Sequence, residues 1–206
     1  MNTEQVLRWL QRFATKIEQN KEYLTELDAA IGDADHGINM ERGFKKLLVQ
    51  LPTYSSKDIG SILKAVSMTL ISSIGGASGP LYGTFFLRAS AAVADKDELD
   101  ERDMLDLLKA GLDGVMERGK TQLGDKTMLD VLYPAVTMYE KAVGEGKLMR
   151  AAMQQAIDRA EQALQETSML QAKKGRASYL GERSVGHQDP GAASCFLMLK
   201  CLCDSL

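Results

Sequence analysis

Ile31-Gly32-Asp33-Ala34-Asp35-His36-Gly37-Ile38-Asn39-Met40 sets two acids, a histidine, two glycines and an asparagine between two apolar helical patterns. Asp28 lies one turn upstream, near the C-terminal end of the preceding helix. That end carries partial negative charge and favours a cation. Gly32 follows as a helix stop. Asp33 and Asp35 alternate in what reads as a short extended segment, so their carboxylates are expected on the same side. Three carboxylates at a helix C-terminus make an oxygen-only site suited to a hard cation such as Mg²⁺. A new helix is expected from about Gly37 or Ile38, and its unpaired first N–H groups face an anion site. A cation site beside an anion site is what a metal–phosphate ligand requires. The same residues also fit a solvated acidic turn with an N-cap.

Outward from this loop, nearly every segment has helical period and almost none has strand alternation. Upstream, Val6, Leu10, Phe13 and Ile17 step 4, 3, 4 along one face of a helix from about Thr3 to Asn20. A shorter helical segment covers Glu22 to Ile31. Downstream, Met40, Phe44, Leu47, Leu48 and Leu51 form the next stripe, stopped by Pro52. Asp58 is the expected N-cap of a helix with Ile59, Ile62, Leu63, Val66, Leu70 and Ile74 inward. Pro80 is expected as the first residue of the helix after it. Further helices are expected over about Glu101–Arg118, Met128–Val143, Leu148–Thr167 and Gly191–Leu206, the last capped by Asp189 with Pro190 at its start. The reading is one all-α domain over residues 1–206, its helices packed as antiparallel neighbours because most connections are short.

Composition excludes several classes. At 206 residues, 45% hydrophobic and 26% charged, the chain reads as an ordinary soluble protein able to bury a full core. A net charge of −3 offers no attraction for nucleic acid or an anionic membrane. No apolar run approaches a bilayer span of about 20 residues. Met1 to Gln5 lack the regions of a signal peptide, and the expected compartment is the cytoplasm. Cys195, Cys201 and Cys203 are odd in number and clustered, which suits buried thiols in a reducing environment rather than a disulfide framework.

The unusual loops are not placed at random. Of the connections 20–21, 32–37, 52–57, 75–80, 94–100, 119–127, 144–147 and 168–190, every second one is glycine-rich and motif-like. In an up-and-down array successive connections alternate ends, so these four share one end. Gly75-Gly76-Ala77-Ser78-Gly79 can bring backbone N–H groups to a phosphate, or be a flexible turn; it is not a Walker loop, because no Gly-Lys-Ser/Thr follows. Gly124-Asp125-Lys126-Thr127 opens a helix, where Asp125 or Thr127 can serve as an N-cap. Lys173-Lys174-Gly175-Arg176-Ala177-Ser178 is a basic loop, either a solvated face or a phosphate contact, with the Arg176 fork the better phosphate ligand. Both histidines, His36 and His187, sit beside glycine in these loops.

Together, Gly32 to Met40, Gly75 to Pro80, Gly124 to Met128 and Gly175 to Gly191 closely resemble the L (ADP-binding) subunit of phosphoenolpyruvate-dependent bacterial dihydroxyacetone kinase, over essentially the whole chain. The resemblance implies an antiparallel up-and-down barrel of about eight amphipathic helices with the nucleotide at one end. Asp28, Asp33 and Asp35 would hold two Mg²⁺ ions. His36, Gly37, Ile38, Asn39, Ala77 and Ser78 would line the nucleotide, with Gly119 and Met128 further out. Arg176 and Asp189-Pro190-Gly191 would complete the pocket, Arg176 beside the transferring phosphoryl group as the catalytic residue. ADP would stay bound as a coenzyme, rephosphorylated by a phosphohistidine M subunit, and would pass the group to dihydroxyacetone held by a K subunit. A transcription regulator is a further implied partner. The motifs leave open an ATP-dependent triose kinase subunit, a regulator-binding signalling subunit, and a metal-dependent phosphohydrolase.

Overall fold

Nine α-helices carry the chain in the computed structural model, which describes residues 1–206: α1 (Thr3–Gln19), α2 (Lys21–Ile31), α3 (His36–Gln50), α4 (Ile59–Ser73), α5 (Ser78–Ala92), α6 (Glu101–Gly119), α7 (Leu129–Gly144), α8 (Met149–Glu166) and α9 (Pro190–Cys203). Short 3-10 segments at Leu51–Tyr54, Thr167–Met169 and Arg176–Ser184 lie in the connections. No strand forms, and a single isolated bridge joins Asn2 to Glu98. No helix is long and apolar enough to cross a membrane.

The helices start where local chemistry supplies their caps. At α1, Asn2 Oδ1 accepts from the Gln5 amide at 3.0 Å while the Gln5 side chain accepts from the Asn2 amide at 2.9 Å, a reciprocal box that satisfies two first-turn donors. Asp58 accepts from the Ser61 amide at 2.9 Å to open α4, and Asp189 accepts from the Ala192 amide at 2.7 Å to open α9, whose first residue is Pro190. The stripe Val6, Leu10, Phe13 and Ile17 is fully buried, joined by Trp9 and Ala14. Trp9 Nε1 donates to the Met198 carbonyl at 3.0 Å and ties α1 to α9.

Three local expectations change. Asn20 separates α1 from α2, and α2 packs across α3 and α9 as a helix of its own, so nine helices stand where the resemblance implies eight. Pro80 sits in the first turn of α5 rather than at its first residue; its missing N–H has no helical partner there in any case. The acidic loop is not extended. Ala34 adopts φ 61°, a left-handed conformation that turns the chain between Asp33 and Asp35 and lets α3 begin at His36.

Neighbours along the chain pack on one another from α3 through α9, α9 returns to α1, and α1 meets α3, closing the circuit. Inside it lies one hydrophobic cluster of 54 buried residues, which includes all three cysteines. The α4–α5–α6 seam is especially close. A Cβ on Gly60 would lie 2.8 Å from Ala94 Cα, one on Gly83 2.1 Å from Ile71, and one on Gly111 2.4 Å from Phe85. One end of the array gathers the N-terminus and the starts of α4, α6 and α8: the Met1 ammonium donates to the Leu99 carbonyl at 2.6 Å, the Ile59 amide to the Lys96 carbonyl at 2.8 Å, and the Met149 amide to the Glu101 side chain at 3.1 Å. The four glycine-bearing loops emerge at the other end.

Candidate functional site

Those four loops enclose one cavity of about 560 Å³, within the usual range of about 300–1,000 Å³ for a small-molecule site. Its wall takes Asp28, Asp33, Asp35 and His36 from the first loop; Ala77 and Ser78 from the second; Gly119, Thr121, Lys126, Thr127 and Met128 from the third; and Lys174, Gly175, Arg176, Asp189, Pro190 and Gly191 from the last.

Carboxylate oxygens of Asp28, Asp33 and Asp35 lie within 4.8 Å of one another. Asp28 is buried in the last turns of α2 and is fixed by backbone. Its Oδ2 accepts from the Asp35 amide at 2.8 Å and the His36 amide at 3.1 Å, so it also caps α3 from a distance. Glycine at 32 is required by this arrangement, since a Cβ there would fall 2.1 Å from Asp28 Oδ1. An all-oxygen donor set of this kind fits a hard divalent cation. Across the cavity Arg176 Nε reaches Asp33 Oδ2 at 2.8 Å from a largely exposed side chain.

Buried beneath the acids is a hydroxyl–imidazole chain. His36 Nδ1 pairs with Ser78 Oγ at 3.1 Å and His36 Nε2 with Ser194 Oγ at 3.0 Å; Ser194 Oγ meets Tyr82 OH at 2.8 Å. Burial lowers the His36 pKa, opposed by the charges of Asp28 and Asp35. The ring holds the start of α3 against the start of α5. Asp189 is buried beside it, and burial raises its carboxyl to about 7 against the pull of the Ala192 amide. A Cβ on Gly191 would lie 3.0 Å from Asp189 Oδ2 and 3.7 Å from the Met128 amide, so the α9 start passes close to the α7 start.

Not every expected residue reaches the cavity wall. Gly37 is packed on α2, where a Cβ would meet the Lys21 carbonyl at 2.1 Å. Ile38 points outward at 47% exposure, and Asn39 Oδ1 accepts from Arg42 at 2.8 Å. None of the three lines the cavity, and neither does the exposed His187. Lys174 of the basic loop lines it, and so do Arg118, Thr121 and Lys126, which no motif in the sequence marks as ligands. The nearest signal for Lys126 was its place inside the Gly124–Thr127 motif. That turn is closed by Asp130, whose carboxylate accepts from the Gly124 amide at 2.6 Å and the Thr127 amide at 2.7 Å. The Thr127 hydroxyl accepts from Leu129 at 3.2 Å, while Asp125 accepts from Gln122 at 3.0 Å instead of capping α7.

Known proteins share both the sequence and the architecture. The chain is 48% identical over 202 residues to the ADP-binding subunit of the PEP-dependent dihydroxyacetone kinase of Escherichia coli (strain K12), covering 98% of this chain and 96% of that one. It is 45% identical over 193 residues to the ADP-binding subunit of PEP-dependent dihydroxyacetone kinase 1 of Listeria innocua, covering 93% and 91%. A crystal structure of the dihydroxyacetone kinase from C. freundii in complex with AMP-PNP and Mg²⁺ matches with a TM-score of 0.74 at 22% identity. That match covers all of this chain and 34% of the other, so this chain spans about a third of that kinase and shares its helical fold. The DAK2 domain family model matches residues 30–204, which contain every residue named on the cavity wall except Asp28. By its sequence over residues 30–204, the chain belongs to the DAK2 domain family.

Proposed function

We propose that this chain is the ADP- and Mg²⁺-binding phosphoryl-transfer subunit of a phosphoenolpyruvate-dependent dihydroxyacetone kinase. The observation that carries the reading is the pairing, in one cavity, of three converging carboxylates with the Arg176 guanidinium and the starts of α3 and α5. Relatives with that name, alike over nearly the whole of both chains, support it.

Asp28, Asp33 and Asp35 would hold two Mg²⁺ ions against the phosphates. Bound there, divalent ions neutralise the charge that spreads over the transferring group's oxygens. Arg176 would stabilise the same charge from the opposite wall, as a planar fork suited to phosphate. The starts of α3, at His36, and of α5, at Ser78, reach the same cavity and bring it partial positive charge. Leu81, Val115 and Met128 offer an apolar wall for the base, with Gly119 keeping it open. The chain's own contribution is position and charge. The triose and its acid–base groups belong to a K partner, and the phosphodonor is the phosphohistidine of an M partner, in the cytoplasm. A transcription regulator that reads the nucleotide state is a further partner of this reading.

The test is nucleotide content. Purified protein is expected to retain ADP and Mg²⁺ through gel filtration, visible as adenine absorbance above that of Trp9 and the tyrosines. Asp33→Asn and Asp35→Asn are expected to lose both. Undiminished ADP in these variants, or none in the wild type, would overturn the proposal.

A further inference from the structure

Arg176 has a placement problem. Its side chain is largely exposed, and within the segment Gln171–Gln188 only Ala172 and Ser184 are buried, so little hydrophobic packing holds the loop that carries it. Gly175, Gly181 and Gly186 all take positive φ, which adds bends but no anchorage. The anchorage comes from beneath. Lys126, only 1% exposed, donates from Nζ to the Leu170 carbonyl at 3.0 Å and to the Ser184 carbonyl at 2.5 Å. These carbonyls lie on the two legs of the loop, one before Arg176 and one after it. The neighbouring Asp125 carbonyl accepts from the Lys173 amide at 3.0 Å. Within the loop, Ser184 Oγ accepts from the Ala172 amide at 2.9 Å and donates to the Gly181 carbonyl at 2.6 Å, closing the legs on the ammonium.

Lys126 itself is held at φ 61°, a costly conformation for a residue with a Cβ. A turn alone would be better served by glycine there. The strain places a buried ammonium, two of its three donors in use, where a single point charge can bind both legs.

We propose that Lys126 is a positioning residue: it clamps the two legs of the 170–186 loop and thereby sets Arg176 opposite Asp33. The proposal rests on the phosphoryl-transfer reading above and gives Lys126 no contact with the transferring group. Phosphoryl transfer depends on placement of the arginine, so loosening the clamp lowers rate more than nucleotide binding.

The experiment compares wild type, Lys126→Met, Arg176→Ala and the double variant, in an assay reconstituted with the dihydroxyacetone-binding and phosphohistidine subunits. Mg·ADP affinity and amide exchange are measured on the same proteins. Lys126→Met is expected to lose about tenfold or more in kcat, against on the order of 10³-fold for removing the arginine outright. Its Kd for Mg·ADP should move less than about threefold, and exchange should rise over residues 170–186 but not in α4 to α6. In the Arg176→Ala background the same change should cost no more than about twofold, because two residues acting through one another are not additive. A merely structural lysine would give independent, multiplying losses. Wild-type rate in Lys126→Met, additive losses, or unchanged loop exchange each overturn the role of Lys126. Where the Met variant does not fold, Lys126→Gln carries the same comparison, with the same outcomes deciding. A wild type that fails to bind Mg·ADP or transfer phosphate overturns the functional reading itself, and so is told apart from a failure of the clamp alone.

Discussion

At the scale of single residues, the cavity works through groups whose surroundings are unusual. Burial raises Asp189 to about 7 from its ordinary 3.8. An acid whose folded-state value lies above its unfolded one favours folding while protonated. Its contribution is therefore full below the unfolded value and is lost as pH rises through the interval up to about 7. Asparagine is also a good N-cap, so Asp189→Asn keeps the start of α9 and removes the titration. The wild-type Tm, without nucleotide, should therefore fall across that interval relative to the variant, with a ceiling of about 4 kcal/mol. Parallel Tm–pH curves would show that Asp189 does not titrate there. Arg176 is a different case. Its ion pair with Asp33 is exposed on the arginine side and contributes little to stability. Arg176→Ala should thus melt like wild type and keep its ADP, yet slow transfer on the order of 10³-fold. Equal turnover with both partner subunits present would remove it from the chemistry.

At the scale of elements, the helices were legible because each carries its signals within a few residues. The stripe of α1, the Asp58 and Asp189 caps and the Pro190 start all stand where the local pattern puts them. What local pattern could not show was how closely two helices approach. Gly60 reads as an ordinary weak point near the start of α4. In the fold its absent Cβ leaves room for backbone at the end of α5 and just past it: Ala94 Cα at 2.8 Å and the Ser90 and Val93 carbonyls at 3.0 Å. Backbone atoms cannot swing aside, so Gly60→Ala should cost about 1–3 kcal/mol in overpacking. That outweighs the gain in helix propensity of at most about 1 kcal/mol. Urea denaturation should show a lower midpoint, and an unchanged one would mean that α4 and α5 part easily. The α4–α5 seam also sets the position of the Gly75–Ser78 turn, so the cavity is expected to loosen in the same variant.

At the scale of the molecule, one ligand would join four loops that come from points far apart in the chain. Anything that binds only the folded state adds stability by mass action, about 2.7 kcal/mol at a hundredfold excess over Kd. Stripping ADP and Mg²⁺ with a chelator should therefore lower Tm, and restoring them together should recover it. Amide exchange should slow at all four loops on rebinding while the end built around Met1, Leu99 and Glu101 stays unchanged. Protection confined to one loop would contradict a shared site. The sequence by itself determined the helices, their order and the end on which the special loops gather. Helical period is local, and alternation of ends follows from short connections whatever the packing. It also brought forward the three acids, Ser78 and Arg176, because their residue types carry the chemistry. Tertiary structure alone decided that Ala34 turns left-handed between two acids, that Gly37, Ile38 and Asn39 turn away from the cavity wall, and that Lys126 lies beneath the arginine loop. The partners of Lys126 are main-chain carbonyls, which every residue has, so no sequence pattern marks where a buried ammonium will find them.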